Sequence, residues 1–400
     1  MIPCDCTCNW YYREHITRHC YRVTNTIIFL IIPLSRSNQQ NKGRRGYSTT
    51  ASTQTGTATT ESGDVQLSET IANAMLSDAI ANYDPSKDLG SPEDFQQVAN
   101  GVFQAEGSIS AYIRGTLIKP LFTLGQALSP GSLAFFVRLW HAVGKAGTLR
   151  LVLSADNRWI LRLDSQSWTH ILGVFTNYFC FVYGEKFIGF RKLAAIYRIG
   201  NSSASLEVFK LVYSLTTTSS QRLLSLPVFL ASVGIEYDGN SNPSTVFTDN
   251  FQVPSLLFLL GLWLGDGTFS IRIRLVAARK GNLWLIPTIR LAQLNSAMNQ
   301  HLFDMFAAGV KALGVSSHAR ADKRGMLDVV LEGSTNVLPI IDTLFTQHIH
   351  FLYWKYPQLE MLYKYSVFVK SGIHSTHIGL IAILEMIYSY PSERDHSLGY

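Results

Sequence analysis

The chain is short of cysteine and of charge. Five cysteines in 400 residues are too few for a disulfide scaffold. Cys4, Cys6, Cys8 and Cys20 crowd the N-terminus, and Cys180 stands alone in an apolar run. Their C-x-C-x-C spacing is not a zinc pattern, and no His pair follows at finger spacing. Long apolar runs are also missing. Ile27–Pro33 and Val253–Leu264 are too short to span a bilayer, so no membrane partner is expected. Charged residues make up only 16% of the chain, but 47% is hydrophobic and 12% aromatic, which permits a sizeable core and excludes wholesale disorder. The length suits about two domains with appendages.

The net charge of +6 is unevenly spread. Residues 1–90 hold 8 basic and 8 acidic side chains, 91–205 hold 11 and 6, and 206–254 hold 2 and 4. Residues 255–370 hold 12 and 7, and 371–400 hold 1 and 3. Two segments of similar length therefore carry the positive excess, which points to a polyanionic partner for both. Solvated surface Lys and Arg are the plainer alternative. The stretch 35–60 contains no acid and is rich in Ser, Thr and Arg. It resembles a mitochondrial presequence, with Arg45-Gly46-Tyr47-Ser48 like a matrix-protease site. A translated upstream exon or a disordered tail is the alternative, and 1–90 as a whole reads as an extension that is partly disordered, presequence-like or exon-like.

An internal repeat organises the rest. Ala99–Gly107 reads ANGVFQAEG and Leu259–Gly267 reads LLGLWLGDG. Each ends in an acid and a glycine. Both are followed by strand-like runs, then by KPLFTLGQAL and IPTIRLAQLN, in which Pro120/Pro287, Leu124/Leu291 and Gln126/Gln293 coincide. The offset grows from 160 to 167, which places seven extra residues in the second copy's turn, around Ala277–Trp284. Helical patterns follow at Ser132–Val143 and Ser296–Leu313, then two more strand-like runs, then helices at Trp168–Phe179 and Val337–Gln347. Each copy reads α-β-β-α-β-β-α. The expected class is α+β, with repeats at 91–205 and 255–370, a solvated linker at 206–254 and a tail at 371–400.

Gly101 and Ala105, like Gly261 and Gly265, are spaced four apart and form a smooth stripe on a helix. Two such stripes let helix backbones approach closely. Gly107 and Gly267 fall where a left-handed glycine commonly ends a helix. Glu106 and Asp266 should then sit at the C-terminal ends of two paired helices. Carboxylates are disfavoured there by the helix dipole and by each other. A divalent cation held by carboxylates, backbone carbonyls and water would relieve both penalties and suits Mg²⁺, with Mn²⁺ as a substitute. The metal set so read is Glu106 and Asp266 with Gln104, Ala105 and Gly265. For either string alone, a buried helix ending in a solvent-facing acid is the competing reading.

The strands that follow alternate. Thr268, Ser270, Arg272 and Arg274 oppose Phe269, Ile271, Ile273 and Leu275; Ser108, Ser110, Tyr112 and Arg114 oppose Ile109, Ala111 and Ile113. Further polar-face candidates are Lys119, Thr123, Arg150, Arg158, Arg162, Thr288, Arg290, His318, Arg320, Lys323 and Arg324. Such ribbons can enter the DNA major groove; an ordinary sheet with one solvated face is the alternative.

Over roughly 91–370 these residues resemble the two-repeat, single-chain LAGLIDADG homing endonucleases of fungal mitochondrial introns. The resemblance implies motif helices at the interface, two saddle-shaped antiparallel sheets, a monomer with internal pseudo-two-fold symmetry, and Mg-dependent cleavage of both strands of a long duplex. It implies that Glu106 and Asp266 bind the catalytic metal. It also implies a late lysine in each half near that metal: Lys186 and Lys355 match by position, with Lys192 and Lys364 as neighbours. Polar Asn100 and Gln104 depart from the motif. Relatives of this family can instead act as maturases that bind intron RNA, which is the alternative function.

Overall fold

The computed structural model describes residues 67–114, 117–199, 253–276, 282–294, 297–321 and 325–390. The presequence-like stretch, nearly all of the linker, Lys323 and Arg324 lie outside them, as do the last ten residues.

Helix α1 (Glu69–Ala81) leads into α2 (Pro92–Glu106), which runs straight into β1 (Ser108–Arg114). Then come β2 (Leu117–Ala127), α3 (Pro130–Ala142), β3 (Thr148–Leu153) and β4 (Trp159–Ser165). A π-helical stretch (Thr169–Phe175) with one further turn precedes α4 (Gly184–Ile199). The second half repeats the order: α5 (Leu256–Asp266), β5 (Gly267–Val276), β6 (Asn282–Leu294), α6 (Ala297–Ala312), β7 (His318–Ala321), β8 (Met326–Glu332), α7 (Ser334–Gln347) and α8 (Tyr356–Lys370). Helix α9 (His377–Ser389) closes the described chain. Each half holds one antiparallel four-stranded sheet, ordered β1-β2-β4-β3 and β5-β6-β8-β7. The expected α+β duplication is the fold observed.

The two hairpins share one register. Ser108 faces Thr123 in the first and Thr268 faces Arg290 in the second, reproducing the offsets of 160 and 167. Arg114 faces Leu117, and their counterparts Arg274 and Trp284 also face each other. The seven extra residues lie beyond that pair, where two more pairs, Leu275–Leu283 and Val276–Asn282, prolong the ladder.

Both motif helices start alike. Ser91 accepts the Asp94 N–H at 3.0 Å and Ser255 accepts that of Phe258 at 3.1 Å, each supplying an N-cap. Residues 257–264 of α5 are all buried, as expected of a helix apolar on every side. The two helices cross at glycine. A Cβ added to Gly101 would collide with the Phe258 carbonyl and lie 2.8 Å from the Gly261 Cα; one added to Gly261 would collide with the Val98 carbonyl and lie 2.8 Å from the Gly101 Cα. One turn on, a Cβ at Gly265 would strike Ala105 and lie 3.0 Å from the Glu106 Cγ.

One expectation needs correction. Gly107 (φ −70°, ψ 152°) and Gly267 (φ −80°, ψ 146°) are extended, not left-handed. Each helix passes into its strand without a reversing turn, and glycine is required because a Cβ would collide with Phe103 or Trp263 one turn earlier. The described end of 1–90 packs against the first repeat. Ala72 and Leu76 of α1 are buried, Trp159 donates to the Leu67 carbonyl at 2.7 Å, and Arg138 holds Asp88 at 3.1 Å and the Leu89 carbonyl at 2.9 Å. The tail also packs, with Ile383 fully buried. No described helix is long and apolar enough to cross a membrane.

Because backbone meets backbone at the helix crossing, neither chain can yield to a side chain. Gly101→Val and Gly261→Val are each expected to cost at least about 3 kcal/mol, read as a fall in the urea midpoint. Gly173→Ala, where a Cβ meets nothing within 4 Å, should leave the midpoint unchanged.

Candidate active site and nucleic-acid interface

The close crossing brings the ends of α2 and α5 together, and Glu106 and Asp266 with them. Both are largely withdrawn from water. Burial first, and then the negative charge of Asp266, push the Glu106 carboxyl up from its ordinary 4.5 to about 7, against the opposing pull of Lys355 and Lys186. Asp266 is also raised by burial, and is drawn back by a hydrogen bond from Gln293 and by the same two lysines. The four side chains thus form one electrostatic group. Gln293 Nε2 donates to Asp266 Oδ2. Its repeat counterpart Gln126 instead turns back to accept its neighbour's N–H, Ala127 N, at 2.9 Å. The two acids are therefore not equivalent.

The lysines are placed by identifiable contacts. Asn100 and Gln104, the polar departures within the first string, are both buried. Asn100 accepts the Phe181 N–H at 2.9 Å and donates to the Tyr178 carbonyl at 2.9 Å, and Gln104 Oε1 accepts the Tyr183 N–H at 2.7 Å. They tie the segment before α4 to α2, so that Lys186, in the first turn of α4, donates to the Gly107 carbonyl. In the second half Leu264 stands in place of Gln104, and Trp354 Nε1 donates to its carbonyl at 2.7 Å. The next residue, Lys355, is buried. Lys364 is committed elsewhere, 2.8 Å from the Tyr390 hydroxyl and 3.3 Å from Glu360. The Lys192 side chain lies outside what is described. The sequence-based inclusion of Gln104 among metal ligands is corrected for its side chain, whose oxygen is used by Tyr183.

The donor set suits a hard divalent cation. Two carboxylates meet at the ends of two helices, beside Ala105 and Gly265, whose carbonyls belong to final turns that lack intrahelical partners. Among the described residues no group of three or more His, Cys, Asp or Glu gathers anywhere. A cation here would thus complete its shell with carbonyl, water or phosphate oxygens, not with further acids.

Register settles which residues share the polar faces. On the first sheet Ser108, Ser110, Tyr112 and Arg114 line up with Lys119 and Thr123 of β2, Arg162 and Asp164 of β4, and Thr148 and Arg150 of β3. A cleft of about 520 Å³ opens there, lined by Leu121, Arg150, Arg162, Asp164 and His170 among others. On the second sheet Thr268, Ser270, Arg272 and Arg274 line up with Thr288 and Arg290, with Asp328, Val330 and Glu332, and with His318 and Arg320. Two of these candidates differ from the sequence reading. Thr288 is buried, its Oγ1 donating to the Ile286 carbonyl at 3.2 Å. Arg158 lies in the β3–β4 turn, paired with Asp156. The acids on both faces are not among the residues that the alternation picks out. The signal was present in WILRLDS and MLDVVLE, where an acid stands at a face position of an otherwise apolar or basic strand.

No family model matches this chain and no curated protein does. Solved structures share its fold. The meganuclease I-SmaMI, solved bound to uncleaveable DNA, superposes with a TM-score of 0.55 over 75% of this chain and 97% of its own, at 18% identity. I-SmaMI, described as a LAGLIDADG homing endonuclease and bound to cleaved DNA, gives 0.53 over 73% and 95%, at 17% identity. The LAGLIDADG homing endonuclease I-GzeII, in complex with its DNA target, gives 0.53 over 75% and 99%, at 15% identity. The fold is that of the LAGLIDADG endonucleases.

A carboxyl whose folded value is raised stays protonated in the folded chain after it has ionised in the unfolded one. Its full stability is present below about pH 4.5 and is lost as pH rises through about 7. Without divalent cations, the urea midpoint should therefore fall between pH 5 and pH 8. Glu106→Gln should remove a share on the order of 2 kcal/mol of that fall. An unchanged pH profile in the variant would contradict the placement of Glu106.

Proposed function

We propose that the chain is a site-specific DNA endonuclease that cuts both strands of a long duplex with Mg²⁺, or with Mn²⁺ in its place. The observation that carries this reading is the meeting of Glu106 and Asp266 at the crossed helix ends, beside two lysines and flanked by two arginine-bearing sheets. Similarity of fold to DNA-bound endonucleases supports it.

Glu106 and Asp266 would hold the cation, with the carbonyls of Ala105 and Gly265 at hand. A bound cation supplies Lewis-acid stabilisation of the phosphoryl oxygens and lowers the pKa of water. Gln293 fixes the Asp266 carboxylate through its N–H. Lys186 and Lys355 provide fixed positive charge for a phosphate whose negative charge grows during displacement. Arg114, Lys119 and Arg274 sit at the hairpin ends, where they meet backbone phosphates, and the Ser, Thr and Arg of the sheet faces meet base edges. Substrate duplex and catalytic acids are thus brought together by one pseudo-two-fold scaffold acting as a monomer. The acid-free stretch at 35–60 supports a mitochondrial setting.

The test is cleavage of the intronless insertion-site duplex with Mg²⁺ and with chelator. Glu106→Gln and Asp266→Asn are each expected to lower cutting of at least one strand by about 100-fold or more while binding persists. Wild-type protein that binds the intron RNA and never nicks that duplex would replace this reading with the maturase one.

A further inference from the structure

Each polar sheet face carries a carboxylate in its interior, an odd use of charge on a surface meant to attract a polyanion. Asp164, with 9% of its side chain exposed, lies 2.7 Å from Arg150 Nε and also pairs with Arg162 Nε. Asp328, 1% exposed, lies 2.7 Å from Arg290 Nη2 and 3.7 Å from Arg320 Nη2. Burying a carboxylate is costly unless it is paired, and each one cancels a positive charge that phosphate attraction would use. These acids therefore weaken a purely electrostatic grip. Their benefit is geometric. Arg150 and Arg162, tethered through Nε, keep both Nη groups free in a fixed plane, the fork that matches guanine O6 and N7. Arg290 is held through Nη2 and keeps Nη1, and Arg320 is drawn to the same carboxylate by charge alone. Arg150 (54% exposed), from its Nε tether, and Arg320 (65%), ion-paired with Asp328 at 3.7 Å, still reach solvent. Arg114, Lys119 and Arg274, at the hairpin ends, show no acid partner among the described residues.

We infer that Asp164 and Asp328 are positioning residues that aim arginines at base edges, one in each half, and so set sequence discrimination of the two half-sites separately. The inference rests on the DNA-binding reading above. It assigns Arg150 and Arg162 to one half-site, and Arg290 and Arg320 to the other.

The experiment is selection of bound duplexes from a randomised DNA pool in Ca²⁺, using the full chain and its Asp164→Asn and Asp328→Asn variants. Arg150→Gln and Arg320→Gln, at exposed positions that leave the fold intact, are run beside them. The wild type should enrich a motif with two half-sites. Asp164→Asn and Arg150→Gln should flatten the same positions in one half, and Asp328→Asn and Arg320→Gln those in the other. Discrimination there should fall about tenfold or more, while affinity for the unselected pool stays equal or rises. A purely structural role would weaken both halves and the unselected pool alike. If the wild type enriches a motif that the arginine variants leave intact, the inference is overturned and the DNA-binding reading survives. Should the wild type enrich no motif, both fall.

Discussion

Everything in this molecule depends on how closely two helices can approach. At Gly101 and Gly261 the separation is set by backbone against backbone, with no room for a methyl group. That contact fixes the two halves to each other and forces Glu106 and Asp266 to share one small volume. Ordinary folding pressure would separate two acids at two helix ends, since dipole, burial and mutual repulsion all oppose them. Their retention there, with one carboxyl pushed up to about 7, is an energetic burden in the cation-free chain that a bound divalent ion would remove.

The duplication is close in its backbone and loose in its side chains. Hairpin registers coincide residue for residue, and the second copy's seven extra residues lie beyond the last matched pair. Around the acids, by contrast, each half solves the same problem differently. Asn100 and Gln104 hold the first lysine's segment through side-chain hydrogen bonds, whereas a tryptophan N–H to the Leu264 carbonyl holds the second. Gln293 serves Asp266, and Gln126 serves its own backbone. On the proposed reading, unlike halves of the protein would meet unlike half-sites on the substrate.

Much of this was legible in the sequence because it is local or periodic. The acid-glycine strings, the small residues four apart and the alternation in β1 and β5 each follow from helix or strand geometry. What escaped depends on contacts between distant segments. Asn100 and Gln104 look like departures from a motif until residues 178–183 fold back on them. Asp164 and Asp328 are acids whose arginine partners stand on neighbouring strands or two positions along their own. The fold's extension to Leu67 rests on Trp159, and on Arg138 reaching Asp88 and Leu89. The left-handed glycine expected at the helix ends failed for a different reason: the chain continues into a strand, so no reversal is needed.

The most direct test of the central claim is an anomalous difference map from crystals soaked in Mn²⁺. A peak in contact with both the Glu106 and the Asp266 carboxylates, absent from the Glu106→Gln/Asp266→Asn double variant, is the predicted result. Carboxylates that diverge into solvent, or manganese bound only at other acids, would contradict it.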